Sequence, residues 1–377
     1  MDFSFTEEQD MLRISARDFL AKECPKAKVR ELAKDERGYD VQMWHSMAGL
    51  GWMGLIFPDE YGGMGASFMD LVILMEEMGR NILPGPFFST IALCALPLLE
   101  YGSSDQKTKF LPQIAKGEAV WTFALTESSG RYKASEVKLR AVLEGTSYVL
   151  QGHKLFVTDA HVADYILVVG RTGEGRRPED GITLFIVDAR EPNMKKETIP
   201  TIGGDRQFKV SFDKVAVPKG NILGKIGNGW DIVEFILQRA AVLKCAEISG
   251  ACQAVLDMTS SYTKERIQFD RPIGSFQAIQ HKLADMLIDV EAVQYLLYQA
   301  AWGISIGSPS PWQISAAKAK ANEAYQRVCI EAIAAHGAIG YAMDHDIGLY
   351  YRRVKAAEFA AGDTDLHREV IASWLGL

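Results

Sequence analysis

The 377-residue sequence has no hydrophobic run long enough to cross a membrane. Its longest strongly apolar stretch, residues 87–99, contains Ser89, Thr90 and Pro97 and falls short of the roughly 20 residues that a membrane helix needs. The chain also starts without a basic or an apolar leader segment. We therefore expect no membrane span and a cytoplasmic location, or a matrix location after import by a signal not seen here.

Excess positive charge and clustered cysteines are also missing. The 41 Lys and Arg residues are outnumbered by 48 Asp and Glu residues, for a formal net charge of −7, so no general basic field attracts nucleic acid. The five cysteines form no Cys-x-x-Cys pair and no ligand spacing with histidine. We expect no nucleic-acid partner, no metal site, and buried, reduced thiols at Cys24, Cys94, Cys245, Cys252 and Cys329.

The common nucleotide and hydrolase motifs are absent as well. No glycine-rich phosphate loop stands between a strand and a helix, and neither the H-E-x-x-H nor the G-x-S-x-G pattern occurs. Standard dinucleotide, P-loop, zinc-protease and serine-hydrolase chemistry is therefore poorly supported. The composition, 48% hydrophobic and 24% charged, is that of a globular protein, and the length favours several packed units.

Hydrophobic periodicity divides the chain into three parts. Residues 1–120 read mainly as helices, opened by a capping box from Thr6 to Gln9, with further helices at 41–50, 68–78 and 105–115. Residues 121–225 change to a period of about 2, which indicates an antiparallel sheet or small barrel. The predicted strands are 121–125, 147–150, 154–157, 165–169, 182–187 and 208–212, with turns at 144–145, 151–152 and 178–181.

Helical periodicity returns in residues 226–377. Candidate helices span residues 230–268, 275–306, 311–336, 346–361 and 367–374, and the first two exceed 30 residues. Long helices with an apolar stripe are typical of a four-helix bundle. The predicted fold class is therefore α+β, mainly α, with helical, β and helical parts in that order.

Three clusters could carry chemistry. Thr126–Gly130 directly follows a strand, Arg266–Phe269 and Phe276–Gln277 join two long helices, and Gly362–Arg368 precedes the last helix. In the first cluster, a hydroxyl with free backbone N–H groups could bond a ring edge or a thioester. The second places a cation, amides and aromatic rings at a bundle end, and the third puts four ionisable side chains and a glycine turn between the two final helices. Taken singly, each cluster is also explained as a strand-end turn, a helix C-cap with a solvated arginine, or a capped loop.

Taken together, these clusters resemble the acyl-CoA dehydrogenase family, and the likeness covers essentially the whole chain. The motifs that carry it are residues 57–65 (FPDEYGGMG), 106–112, 123–127 (FALTE), 152–158, 210–218 (VSFDKVAVP) and 266–277 (RIQFDRPIGSFQ). The resemblance implies an N-terminal helical domain (1–120), a central antiparallel β-barrel-like domain (121–225) and a C-terminal four-helix bundle (226–377). It also implies a tetramer with FAD between the β domain and the bundle.

The resemblance further implies FAD-dependent α,β-dehydrogenation of an acyl-CoA thioester. In that family a carboxylate takes the α-proton while the β-hydrogen leaves as hydride to flavin N5, and electrons pass to an electron-transfer flavoprotein. Phe123, Leu125 and Thr126 would lie along the flavin, with Phe156 and Thr158 over its other side. The neighbouring subunit's FAD would be held by Arg266, Gln268, Phe269, Gln277 and, on the adenosine side, Gly337.

Some positions depart from the family pattern. Tyr132 stands where a serine commonly contacts the acyl-CoA, so we expect an altered entrance for CoA. Arg239 is a candidate CoA contact, or else a solvated helix arginine. The glutamate that usually serves as the base is Ala361 here, and the alternative family position on the first bundle helix is Ala240.

Two acids remain as candidates for the base. Glu247 lies two helical turns after Ala240 on the same face, and Asp363 follows the lost glutamate by two residues. Alternatively, Glu247 is paired with a cation such as Lys244, Asp363 is the N-cap of the last helix, and the chain has no base.

The sequence leaves three functions open. The Gly-Asp-x-x-x-His-Arg ending (362–368) resembles the family branch that handles bulky steroid, cyclic, aromatic or dicarboxylic CoA esters, often with two different subunits. The chain is therefore expected to be a catalytic dehydrogenase, as a homotetramer or a heterotetramer with a related subunit. The alternatives are a non-catalytic partner subunit of such a heteromer and an oxygen-using flavin oxidase or monooxygenase.

Overall fold

The structure, a computed structural model, describes residues 5–377; residues 1–4, part of the chain start considered above, lie outside it. The predicted capping box is present, because the backbone N of Gln9 donates to Thr6 Oγ1 (3.2 Å) and the backbone N of Thr6 donates to Gln9 Oε1 (3.1 Å). The N-terminal helices are α1 (Glu7–Glu23), α2 (Lys26–Lys34), α3 (Val41–Gly49), α4 (Phe68–Asn81), a π-helical segment (Phe88–Ala95), α5 (Leu96–Tyr101) and α6 (Ser104–Ala115).

Within residues 5–377, eight strands form one sheet, with seven ordered β6-β7-β3-β2-β4-β5-β8 and β1 paired to β4. Neighbours are antiparallel except for β1–β4 and a single parallel β2–β4 pair. The strands are β1 (Trp121–Ala124), β2 (Arg140–Glu144), β3 (Ser147–Thr158), β4 (Tyr165–Arg171), β5 (Ile182–Asp188), β6 (Met194–Ile199), β7 (Gln207–Pro218) and β8 (Ile222–Leu223).

The predicted turn at residues 151–152 is wrong, because β3 runs through it as one strand. A register shift against β7 between Leu150 and Gln151 absorbs the irregularity as a bulge. Gly152 has a φ of 142°, and a Cβ there would lie 3.3 Å from Leu139 Cα. A glycine inside a strand therefore marks a close backbone approach rather than a chain reversal.

The C-terminal part has the long helices that the sequence predicts. The first ends at Glu265, before residue 268, because Ile267–Gln268 pairs with Arg271–Pro272 around left-handed Phe269 (φ 51°) and Asp270 (φ 62°). The elements are α7 (Trp230–Glu265), β9 (Ile267–Gln268), β10 (Arg271–Pro272), α8 (Gln277–Ser305), α9 (Pro311–His336), α10 (Asp346–Phe359) and α11 (Thr364–Trp374).

Two glycines let α4 approach α7 at backbone distance. A Cβ on Gly79 would lie 1.9 Å from the carbonyl O of Glu247, and one on Gly250 would lie 1.8 Å from the carbonyl O of Glu76. Glu76 is buried here and accepts hydrogen bonds from Ser249 Oγ and Tyr298 (both 2.9 Å). Through these contacts, α4 of the N-terminal part packs directly against α7 of the bundle beside Glu247.

The burial of the cysteines agrees with the sequence prediction. All five are free and buried, and burial raises the pKa of Cys245 to about 12. Of the helices in the described part of the chain, none combines the length and hydropathy of a membrane span.

Candidate functional site

A cavity of about 690 Å³ lies between the sheet and the last two helices. Five residues singled out from the sequence line it together, namely Thr126, Tyr132, Phe156, Thr158 and Asp363. The remaining wall comes from the segment 201–207 and from α10 and α11. Residues far apart in the chain thus meet at one place, as the sequence leads us to expect for a binding site.

Phe156 projects into this cavity because of an irregularity in β3. The register against β7 shifts between Lys154 and Val157, and Phe156 has a left-handed backbone (φ 57°). Phe156 is 49% exposed, whereas Lys154 and Val157 in the same strand are buried. A bulky residue held in that conformation costs free energy, which is typical of a binding position fixed by its surroundings.

A buried ion pair fixes the segment that carries Thr126. Lys154 Nζ lies 2.7 Å from Glu127 Oε1 and donates to the carbonyl O of Leu125 at 2.8 Å. The Glu127 carboxylate also accepts from the backbone N of Lys138 and of Leu139 (3.0 Å each). Burial lowers the pKa of Lys154 to about 8, and the Glu127 carboxylate opposes this. The pair therefore holds the end of β1 against β3.

The opposite wall is the loop between α10 and α11. The Tyr132 hydroxyl donates to the carbonyl O of Phe359 at 2.9 Å, and burial raises the pKa of Tyr132 to about 12. Asp363 is the N-cap of α11, accepting from the backbone N of Leu366 at 2.8 Å. The structural role that the sequence left open for Asp363 is thus present, and Tyr132 connects the β part to this loop.

Two buried basic side chains, Lys318 on α9 and His367 on α11, contact carbonyl groups of the loop between α10 and α11. Lys318 Nζ donates to Asn322 Oδ1 (2.6 Å) and to the carbonyl O of Ala357, Glu358 and Gly362 (3.1 Å each). Burial lowers its pKa to about 7. His367 lies 3.1 Å from the carbonyl O of Ala361 through Nε2 and 3.0 Å from Ser315 Oγ through Nδ1. The loop's carbonyl groups are therefore satisfied by α9 and α11.

A second, smaller cavity of about 140 Å³ adjoins the first. The two share wall residues, including Thr158, Asp205 and Ala360. The apolar part of its lining is Met75, Met78, Leu83, Phe87 and Phe88, and the polar part includes Ser89, Asp159, Lys244, Glu247 and Arg353.

Glu247 lines the smaller cavity and has a cationic partner. Its Oε2 lies 2.5 Å from Lys244 Nζ, and that ammonium also lies 4.0 Å from the centre of the Phe88 ring. The pairing with Lys244 that the sequence left open is therefore present. Glu247 and Asp363 line different cavities, so the two candidate acids do not form one pair.

Sequence reasoning missed Asp159, a buried carboxyl on the same wall as Glu247. Its Oδ2 accepts from Ser89 Oγ at 2.8 Å, and burial raises its pKa to about 6. Lys244 and Arg353 oppose this shift, so all three charges act on one another. The available signal was its place directly after Thr158, a predicted flavin contact.

Comparison with known proteins decides the family. Family models of the acyl-CoA dehydrogenase N-terminal, middle and C-terminal domains match residues 6–118, 122–215 and 227–376. The chain belongs to the acyl-CoA dehydrogenase family. It is 32% identical over 383 residues to a probable acyl-CoA dehydrogenase, YngJ, of Bacillus subtilis (strain 168), with 100% of both chains covered.

Two solved structures extend this acyl-CoA dehydrogenase likeness to the fold. Butyryl-CoA dehydrogenase from Megasphaera elsdenii matches with a TM-score of 0.93 and 29% identity, covering 100% of both chains. A chain of the ChsE4–ChsE5 complex from Mycobacterium tuberculosis matches with a TM-score of 0.91 and 28% identity, covering 100% of this chain and 99% of that one.

The larger cavity fits FAD, the cofactor of acyl-CoA dehydrogenases. Phe156 offers a half-exposed aromatic ring, and Thr126 and Thr158 offer hydroxyl groups. Asp205, which lines both cavities, has a buried Oδ1 without a hydrogen-bond partner among residues 5–377. A buried acceptor of this kind needs a donor, which a flavin or a ribityl hydroxyl would supply.

The other predicted cofactor residues lie elsewhere. Phe123 and Leu125 are buried and do not line the two cavities. Arg266, Gln268, Phe269 and Gln277 lie at the junction of α7 and α8, where the Phe269 side chain is 86% exposed. Tyr262 near the end of α7 stacks on His336, which precedes Gly337, with ring centres 4.2 Å apart. The residues predicted for the adenosine side thus lie at one end of the bundle of this acyl-CoA dehydrogenase and do not line the larger cavity.

Arg239 also lies outside both cavities of this acyl-CoA dehydrogenase. Its guanidinium stacks 3.4 Å from the ring centre of Phe235, and burial lowers its pKa to about 10. Because Phe235 packs edge-on against Tyr101 (5.1 Å), Arg239 covers an aromatic pair.

Proposed function

We propose that the chain catalyses FAD-dependent α,β-dehydrogenation of an acyl-CoA thioester in the cytoplasm and passes electrons to an electron-transfer flavoprotein. The observation that supports this most is the contact between two cavities, one lined by Thr126, Phe156 and Thr158 and the other by Glu247. When bound, FAD would accept the β-hydrogen as hydride at flavin N5. The chain's own task is then to hold the acyl group and to remove the α-proton.

We assign proton removal to Glu247 rather than to Asp363. Glu247 lines the smaller cavity, where apolar side chains of α4 and of residues 87–88 offer a surface for an acyl group, whereas the carboxylate of Asp363 already caps α11. Its Lys244 partner makes an (i, i+3) pair whose side chains are 10% and 25% exposed. Because this pair is largely buried, uptake of the α-proton by Glu247 removes the carboxylate partner of Lys244, whose ammonium keeps its position over the Phe88 ring.

Two conservative substitutions test the assignment. Glu247→Gln removes the acid and keeps the shape, and Asp363→Asn keeps a good N-cap while removing the charge. The measurement is the rate of anaerobic flavin bleaching by acyl-CoA in the FAD-loaded enzyme. We expect Glu247→Gln to lower that rate about a hundredfold or more and Asp363→Asn to change it little.

A matched control is Glu234→Gln, which alters an exposed glutamate of α7 bonded to Trp230. It should bleach at the wild-type rate. If both Glu247→Gln and Asp363→Asn also bleach at the wild-type rate, neither acid is the base.

A second candidate, a partner subunit in a heteromeric dehydrogenase, is favoured by one observation. Both candidate acids already have structural partners, and both family base positions are alanine. In this alternative the chain forms a heterotetramer rather than a homotetramer. The colour of the chain purified alone distinguishes the two: a yellow protein that bleaches with acyl-CoA supports the enzyme, and a colourless one supports the partner role.

A further inference from the structure

The smaller cavity is unusually charged for a site that would hold an alkyl chain. Its wall carries as many cations as carboxylates, so the fixed charges sum to zero rather than to a negative value. These charged residues are Lys244, Arg206 and Arg353 and, opposite in sign, Asp159, Asp205 and Glu247. An acyl group that fills this cavity therefore meets polar walls beside the apolar side chains of α4 and the π-helical segment.

Arg353 differs from the other cations of this wall. Lys244 pairs with Glu247 at 2.5 Å, and Arg206 donates to the carbonyl O of Ala33 (3.1 Å) and of Asp35. Arg353, on α10 and partly buried, forms neither a hydrogen bond nor an ion pair with any residue from 5 to 377. The guanidinium has five donors, and leaving them unmatched beside an apolar ligand is costly.

Another cavity that Arg353 lines is also rich in cations. Arg353 lines a third cavity, of about 260 Å³, whose wall includes Arg30, Lys34 and Arg352. Asp344 lines it too, and Arg30 donates to the carbonyl O of Asp344 and to Asp346 Oδ1. On the side of the third cavity the potential therefore favours an anion, whereas on the side of the smaller cavity the Asp159 carboxyl acts on Arg353.

We propose that Arg353 selects acyl groups that end in a second carboxylate, so that the substrate is the mono-CoA thioester of a short dicarboxylic acid. This inference rests on the proposed function and specifies its substrate class. A carboxylate matches the planar fork of arginine with two parallel hydrogen bonds, whereas a methyl terminus matches none of its donors. The small volume of the cavity limits the acyl group to a short one.

Equilibrium binding tests the proposal without turnover when the bound FAD is reduced before the titration, because reduced FAD cannot accept a hydride from the thioester. The three probes share a five-carbon acyl chain and end in a carboxylate (glutaryl-CoA), a neutral amide (glutaramoyl-CoA) or a methyl group (pentanoyl-CoA). Dissociation constants come from titration calorimetry. We expect wild type to bind glutaryl-CoA at least about tenfold more tightly than pentanoyl-CoA, because charge-assisted hydrogen bonds are replaced by an unmatched guanidinium.

Variants then test whether the preference for the carboxylate depends on Arg353 or on other residues of the cavity wall. Arg353→Met should bring the two constants within about threefold of each other, and Arg353→Lys should leave an intermediate preference because it keeps the charge without the fork. The matched control is Arg190→Met, since Arg190 is exposed, lines none of the three cavities and pairs with Asp188 at 2.7 Å. That variant should keep the wild-type preference.

The outcomes separate a failure of the carboxylate proposal from a failure of the proposed function on which it rests. Equal binding of glutaryl-CoA and pentanoyl-CoA by wild type overturns the carboxylate proposal and leaves the dehydrogenase proposal standing. Equal binding of glutaryl-CoA and glutaramoyl-CoA also overturns it, in favour of a neutral acceptor. If none of the three thioesters binds the FAD-loaded protein, the proposed function itself fails. Because the wild-type comparison needs no variant, misfolding of Arg353→Met does not remove the test.

Discussion

His367 should make the stability of this protein depend on pH in the mildly acidic range. Its Nε2 faces the carbonyl O of Ala361, which only accepts, so the hydrogen of the neutral ring lies on Nε2. Nδ1 then accepts from the Ser315 hydroxyl at 3.0 Å. Burial, with the nearby Lys318, lowers the pKa of His367 from 6.5 to about 4. The folded site therefore fits the neutral ring.

The magnitude follows from the difference between these two pKa values. Because the pKa is lowered in the folded state, the unfolded chain takes up a proton below pH 6.5 that the folded chain does not, and stability falls as pH falls toward 4. Integrated from pH 7 to pH 5, the loss of unfolding free energy is about 2 kcal/mol. The effect is absent above pH 7.

The assay is urea unfolding of the FAD-loaded protein at pH 7 and pH 5, with equal free FAD in all samples. His367→Gln keeps a donor for Ala361 and does not titrate, so we expect it to lose about 2 kcal/mol less than wild type between the two pH values. His45→Gln, on the exposed side of α3, should behave like wild type. Equal losses in wild type and His367→Gln would refute the reasoning.

Two further substitutions test buried contacts. Lys154→Met leaves the Glu127 carboxylate buried without its cation, and we expect urea unfolding to show a loss of about 3–5 kcal/mol, largely recovered by adding Glu127→Gln. Gly250→Ala places a Cβ where the carbonyl O of Glu76 is 1.8 Å away, so α4 and α7 must separate. We expect a loss of about 3 kcal/mol or more, measured in the same way, whereas Gly220→Ala, which has open space, should be nearly neutral. An unchanged Gly250→Ala protein would contradict the close packing.

Sequence periodicity located the long helices well, because their apolar stripes are buried continuously against neighbours. The helix predicted at residues 311–336 has those ends in the structure. The strand Met194–Ile199 was not predicted, since it reads Met-Lys-Lys-Glu-Thr-Ile and none of its residues is fully buried. It exists because β7 supplies its hydrogen bonds, and pairing of this kind is a property of the tertiary structure.

In the candidate site, too, residues within family-like motifs were predictable, and residues that stand out only in the folded structure were not. Thr126, Phe156 and Thr158 were predictable because each stands in a motif that resembles the family. Asp159 and Arg353 were not predictable. Asp159 stands out by its burial, and Arg353 by having no hydrogen bond or ion pair with residues 5–377. In the sequence, Arg353 is the second of two adjacent arginines on an amphipathic helix, where a solvated side chain is the usual expectation.

Glu247 and Asp363 illustrate why the residue type alone does not show which acid is the catalytic base. Asp363 already has a structural role, because its bond to the backbone N of Leu366 contributes about 1 kcal/mol as an N-cap. Glu247 would give up a largely buried ion pair with Lys244 on taking up the α-proton, but it does so inside the cavity that Arg353 also lines. If Arg353 binds the far carboxylate of the acyl group, it fixes the chain along the wall that carries Glu247. Residues of the smaller cavity would then both orient the substrate and remove its proton, whereas Asp363 lines the larger cavity, in which we place the cofactor.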